Sequence, residues 1–167
     1  MYKSVVLPAV LDQIVSCHDA IAQEYLADCV AQVFPDDFQL ATLDEFLAMC
    51  SQLVRGVNLK TILVSVLDRL TRYADLSEAN AADVRLANTF QTFRKHLPTV
   101  LSTQRSTLSV ADRISVFTSL MRLTLKAEPG SLGQVDDVLG FAVQAAREGF
   151  TVPVNEQAGT TSGTLAG

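Results

Sequence analysis

The sequence predicts an all-α fold, an α-solenoid of antiparallel helix pairs, and three observations carry that prediction. Apolar residues recur every three or four positions through most of residues 1–150, the spacing that gathers them on one face of a helix. Proline, glycine and short polar capping residues stand between these stripes. The stripes number about seven, near 22 residues per helix and about 43 per pair, within the roughly 40–47 residues of HEAT- or armadillo-like repeats. The units share no sequence identity, so the repeat is one of architecture. A compact helical bundle is the competing arrangement.

The first stripe runs through Leu7, Leu11, Ile14 and Val15. In the second, Ile21, Tyr25, Leu26, Cys29, Val30, Val33 and Phe34 are expected to face inward, with Gln23, Glu24, Asp28 and Gln32 on the opposite side. Pro35 ends that helix, because proline lacks a backbone donor and pushes its predecessor out of helical geometry. Asp36 and Asp37 are expected to lengthen the break. Thr42, followed three positions later by Glu45, has the form of a capping box ahead of Leu43, Phe46, Leu47, Cys50 and Leu53. Gly56 is a stop signal and Asn58 a fresh N-cap. Leu59, Ile62, Leu63, Val66, Leu67, Leu70 and Tyr73 then form the clearest stripe, with Lys60, Ser65, Asp68, Arg69 and Arg72 turned outward.

Residues 74–83, ADLSEANAAD, are polar and alanine-rich and are expected to form a loop. A long helix from about Asp83 turns Leu86, Phe90, Phe93, Leu97, Val100 and Leu101 inward, and Pro98 is expected to kink or divide it. Ser109 caps a helix bearing Val110, Ile114, Phe117, Leu120, Met121 and Leu125, which ends at Glu128-Pro129-Gly130. The last helix begins near Ser131, carries Val135, Val138, Leu139, Ala142, Val143 and Ala146, and stops at Gly149. The solenoid segment therefore covers residues 1–150. From Thr151 the chain reads TVPVNEQAGTTSGTLAG, with Glu156 its single charge, and residues 151–167 are expected to be a disordered or truncated tail.

Hydrophobic residues make up 49% of the 167 and mean hydropathy is +0.25, which is oilier than a typical soluble domain. A slice through a solenoid has that character, since its two cut ends expose surfaces that neighbouring repeats cover, and it is expected to self-associate. No apolar run approaches the roughly 18 to 20 residues needed to cross a bilayer, and the N-terminus lacks a signal-peptide arrangement. A soluble, cytosolic protein is expected. Cys17, Cys29 and Cys50 lie in helical patterns without metal-site spacing and read as reduced, mostly buried thiols.

The net charge of −5 is unevenly spread, with the acids concentrated at both ends and a basic middle. Arg69, Arg72, Arg85, Arg94, Lys95 and Arg105 form either a patch for acidic partners or anionic lipid, or a solvated outer face paired with neighbouring acids. With few aromatics interleaved, the second reading is preferred and no nucleic-acid binding is expected.

Catalytic chemistry finds little support. His18 adjoins Cys17, but adjacent helical residues diverge by about 100 degrees and cannot serve one centre by local geometry. His18 reads as a helix-boundary residue, and His96, beside Arg94 and Lys95, as solvated. Asp36-Asp37 and Asp136-Asp137 lack the alternating oxygens and glycine turn of a calcium loop; the first pair is expected to terminate a helix and the second to sit in a helix's first turn. No phosphate loop is present. Catalytic, cofactor-binding and metal-binding residues are therefore none, no cofactor is expected, and enzyme activity is not expected.

Four runs of this chain, YKSVVLPAVLDQIV from Tyr2, CHDAIAQEYL from Cys17, QVFPDDFQLATL from Gln32 and VNLKTILVSVLDRL from Val57, resemble the large helical-solenoid subunit of retromer, the vacuolar protein sorting thirty-five family. The resemblance covers the first half well and continues more faintly to about Phe150. It implies an interior fragment of a longer scaffold in the cargo-selective complex, acting in retrograde transport from endosome to Golgi and from endosome to plasma membrane. The implied partners of the full-length protein are the arrestin-like and phosphoesterase-like retromer subunits, sorting nexins and transmembrane cargo tails. The implied location is cytoplasmic, peripherally on endosomal membranes. The family's Pro-Arg-Leu-Tyr-Leu motif is not found here, so no binding residue carries over. The alternatives are another helical-repeat adaptor or coat scaffold, or a small self-contained helical regulatory bundle.

Overall fold

Side-chain caps open four of the helices, at Asp19, Asn58, Ser77 and Ser109. The computed structural model describes residues 5–104 and 107–150, with side chains through residue 148. Nine helices occupy these residues: α1 Leu7–Ser16, α2 Ala20–Val33, α3 Asp36–Ala41, α4 Leu43–Cys50, α5 Leu59–Leu76, α6 Glu78–Leu86, α7 Thr89–Thr103, α8 Val110–Ala127 and α9 Leu132–Phe150. Asn58 caps α5 as its position predicts, its side chain accepting from the Thr61 amide at 3.3 Å. Ser109 caps α8 more fully, because its hydroxyl accepts from the Asp112 amide while the Asp112 carboxylate accepts from the Ser109 amide.

The two helices beyond the expected seven are α3 and α6. Pro35 does break the chain after α2, but Asp36 and Asp37 begin α3, where acids meet the partial positive charge of the exposed amides. Thr42 is not the N-cap of a capping box. It is buried between α3 and α4 and its hydroxyl donates to the Phe38 carbonyl at 2.7 Å, so it belongs to the end of α3. The expected loop at 74–83 is also helical: Ser77 breaks α5 and accepts from the Asn80 amide, opening α6. Asn88, in the left-handed conformation at φ 50°, separates α6 from α7 where a continuous helix was expected. Pro98 lies within α7 without dividing it. The tail at 151–167 lies outside the described residues.

Equivalent helices stack on one another. In one layer α1 packs on α4 and α4 on α7; in the other α2 packs on α5 and α5 on α8, with α9 against α8. This is the arrangement of an α-solenoid, three successive helix pairs side by side and a seventh long helix beginning the next. The helices of the second layer begin at residues 20, 59 and 110, which are 39 and 51 residues apart. The longer interval contains α6, which is wedged against both α5 and α8.

The core follows these layers. Leu59, Ile62, Leu63, Val66, Leu67 and Leu70 of α5 are fully buried, meeting Phe46 and Leu47 of α4, Phe93 and Leu97 of α7 and Leu120 of α8 in one cluster. On α2 the predicted face is rotated. Ile21, Tyr25 and Val33 are 70–81% exposed, whereas Ala27, Val30, Ala31 and the predicted outward Gln23 are buried. The alanines let α2 approach α5 closely, and larger side chains there would hold the helices apart. Leu86, Leu139 and Val143, also expected inward, are exposed.

Polar side chains from one helix satisfy the carbonyls at the end of another. Gln23 donates to Ile14, Val15 and Cys17 at the end of α1. Arg69 of α5 donates to the carbonyls of Ala31 and Phe34 at the end of α2 while its Nε meets Asp36 at 2.6 Å. Arg85 reaches the Ala127 carbonyl at the end of α8 and also pairs with Glu78. Helix C-termini carry orphan acceptors and partial negative charge, so cations and amide donors placed there lock neighbouring helices in register.

Candidate interaction surfaces

The basic residues of the middle are built into the stack. Arg69 pairs with Asp36, Arg85 with Glu78, Arg94 with Asp137 and Lys95 with Asp44. Lys60 of α5 meets Asp112 of α8, and Lys126 of α8 meets Asp75 of α5. Apart from Arg85–Glu78, which lies within α6, these pairs tie different helices together across their edges, and the preferred reading of a paired outer face holds for these residues. Arg72 is exposed and forms no ion pair among the described residues, and Arg105 lies outside them. A continuous cationic patch does not emerge from this set.

His18 is exposed between α1 and α2, at a helix boundary as expected. His96 is not simply solvated: its Nε2 lies 2.9 Å from Asp44, with its side chain 13% exposed. Asp44 therefore receives Lys95 and His96 together, and their hydrogen bonds hold its carboxyl below the ordinary carboxylate value. Asp136 and Asp137 fall in the second turn of α9 and not the first, and Asp137 serves Arg94. Asp112 is likewise lowered, by its bond from the Ser109 hydroxyl. Burial pushes the Cys50 thiol up to about 12, while Cys17 and Cys29 are only half-buried. Among the described residues no group of three or more histidine, cysteine or acidic side chains could hold a metal ion. No helix of the described residues is long and apolar enough to cross a membrane.

Two apolar surfaces remain at the ends of the stack. At one, Val5, Val6, Ala9, Val10 and Leu26 line an open groove between α1 and α2, and Ile21 and Tyr25 stand beside it. At the other, Leu132, Leu139 and Val143 project from α9. Rows of this kind at the ends of a stack are what a helical repeat offers to the next repeat. Sequence periodicity alone missed the α2 row because the same residues fit a core stripe equally well; the small Ala27 and Ala31 on the other side were the available signal.

The layers, the cross-repeat caps and the two apolar ends define a helical-repeat protein. The chain belongs to the vacuolar protein sorting-associated protein 35 family, whose model matches residues 1–163. It is 39% identical over 143 residues to vacuolar protein sorting-associated protein 35B of Arabidopsis thaliana, covering 86% of this chain and 18% of that protein. It is 39% identical over 160 residues to vacuolar protein sorting-associated protein 35 of Dictyostelium discoideum, covering 91% and 20%. A shorter match, 42% over 72 residues, covers 43% of this chain and 9% of the protein of the same name from Schizosaccharomyces pombe. The chain thus spans about a fifth of the length of the first two relatives. The family is a structural scaffold of vacuolar protein sorting and not an enzyme.

Proposed function

We propose that this chain is a scaffold segment of the retromer cargo-selective complex, acting within a longer solenoid in retrieval of transmembrane proteins from endosomes to the Golgi and the plasma membrane. The observation that carries the reading is the family match running through residues 1–163, laid on a stack that ends in uncovered apolar rows. In this role the segment works as a spacer. Its cross-repeat caps and ion pairs fix the angle between successive helix pairs, and so the distance between surfaces at the two ends of the whole protein. The partners are the arrestin-like and phosphoesterase-like subunits, with sorting nexins and cargo tails, on the cytoplasmic face of endosomal membranes.

In a solenoid each repeat contacts only its neighbours, so a docking surface belongs to the repeats that build it. A pull-down with purified partners tests the reading. The full-length protein is expected to capture both small subunits, and this chain alone neither. Stoichiometric capture of either subunit by this chain alone overturns the spacer role. Failure of the full-length protein to capture them overturns the retromer assignment itself.

A further inference from the structure

We draw no further inference here: the strongest candidate, the half-open apolar cleft between α7, α8 and α9 lined by Leu97, Leu101, Phe117 and Phe141, carries none, because nothing in the structure shows what covers it.

Discussion

The side-chain oxygen of Gln23 accepts the amide proton of Val54 at 2.8 Å, across 31 positions of sequence. The nitrogen of the same carboxamide serves the carbonyls ending α1, and Gln104 donates to the Val54 carbonyl at 2.8 Å from the opposite side. Both polar groups of the Val54 peptide are thus held by glutamines from different repeats. Gln23→Leu retains the volume but removes the acceptor of the Val54 amide and the donor to the Val15 and Cys17 carbonyls, while the Ile14 carbonyl keeps the Cys17 amide, and should cost about 2–4 kcal/mol. Urea melts check this. A loss below about 0.5 kcal/mol, the range of ordinary surface substitutions, would mean the clamp contributes nothing.

Leu63 is fully buried at the centre of α5, and Leu63→Ala should cost about 2–5 kcal/mol through lost transfer energy and the cavity left behind. Lys60→Ala loses only a half-exposed pair with Asp112, worth under about 1 kcal/mol. Equal shifts in the two melts would contradict the facial assignment.

What the sequence made legible follows from how residues signal burial. On α5 the apolar stripe is continuous and the opposite face charged, so periodicity and structure agree from Leu59 to Leu70. On α2 both sides are apolar, and the choice between them depends on Ala27 and Ala31 fitting against α5 and on Gln23 being drawn in by the carbonyls of α1. That is a tertiary effect whose one local trace is the small size of Ala27 and Ala31. α6 was hidden differently: the Ser77-Glu78 start and the alanines are helix signals, but polarity without a stripe resembles a loop.

Cys50 should resist thiol reagents in the folded chain. With its value pushed up to about 12, the thiolate fraction at pH 8 is roughly one part in ten thousand, and the sulfur is fully buried. Native chain should therefore titrate two thiols, Cys17 and Cys29, and denatured chain three. Rapid native reaction of all three would show that α4 opens locally.

Acid should loosen the edges of the stack. The Asp44 and Asp112 carboxyls are both held below the ordinary value of 3.8, so each stabilises the fold above that pH and loses its contribution as pH falls through the lowered folded value. Melting temperature should be insensitive to these groups from pH 7 to about 5 and fall below about pH 4. Asp44→Asn should lower the plateau slightly and make the acid limb shallower. An unchanged limb would show that the Lys95 and His96 contacts do not stabilise the fold.

The open ends should make the chain associate. Ile21 and Tyr25 at one end and Leu139 and Val143 at the other are exposed, and contiguous apolar surface of this kind is rare on monomers. At tens of micromolar, roughly the range in which exposed apolar surface drives association, sedimentation should show species larger than a monomer and the chain should bind a hydrophobic dye. Ile21→Ser with Tyr25→Ser removes one row without touching the core, so it should shift the distribution toward smaller species at little cost in stability. Leu139→Ser with Val143→Ser should act at the other end, and the four changes together should give a monomer. If the unsubstituted chain is strictly monomeric and silent to dye, these rows are ordinary surface and the ends of the stack are not adhesive.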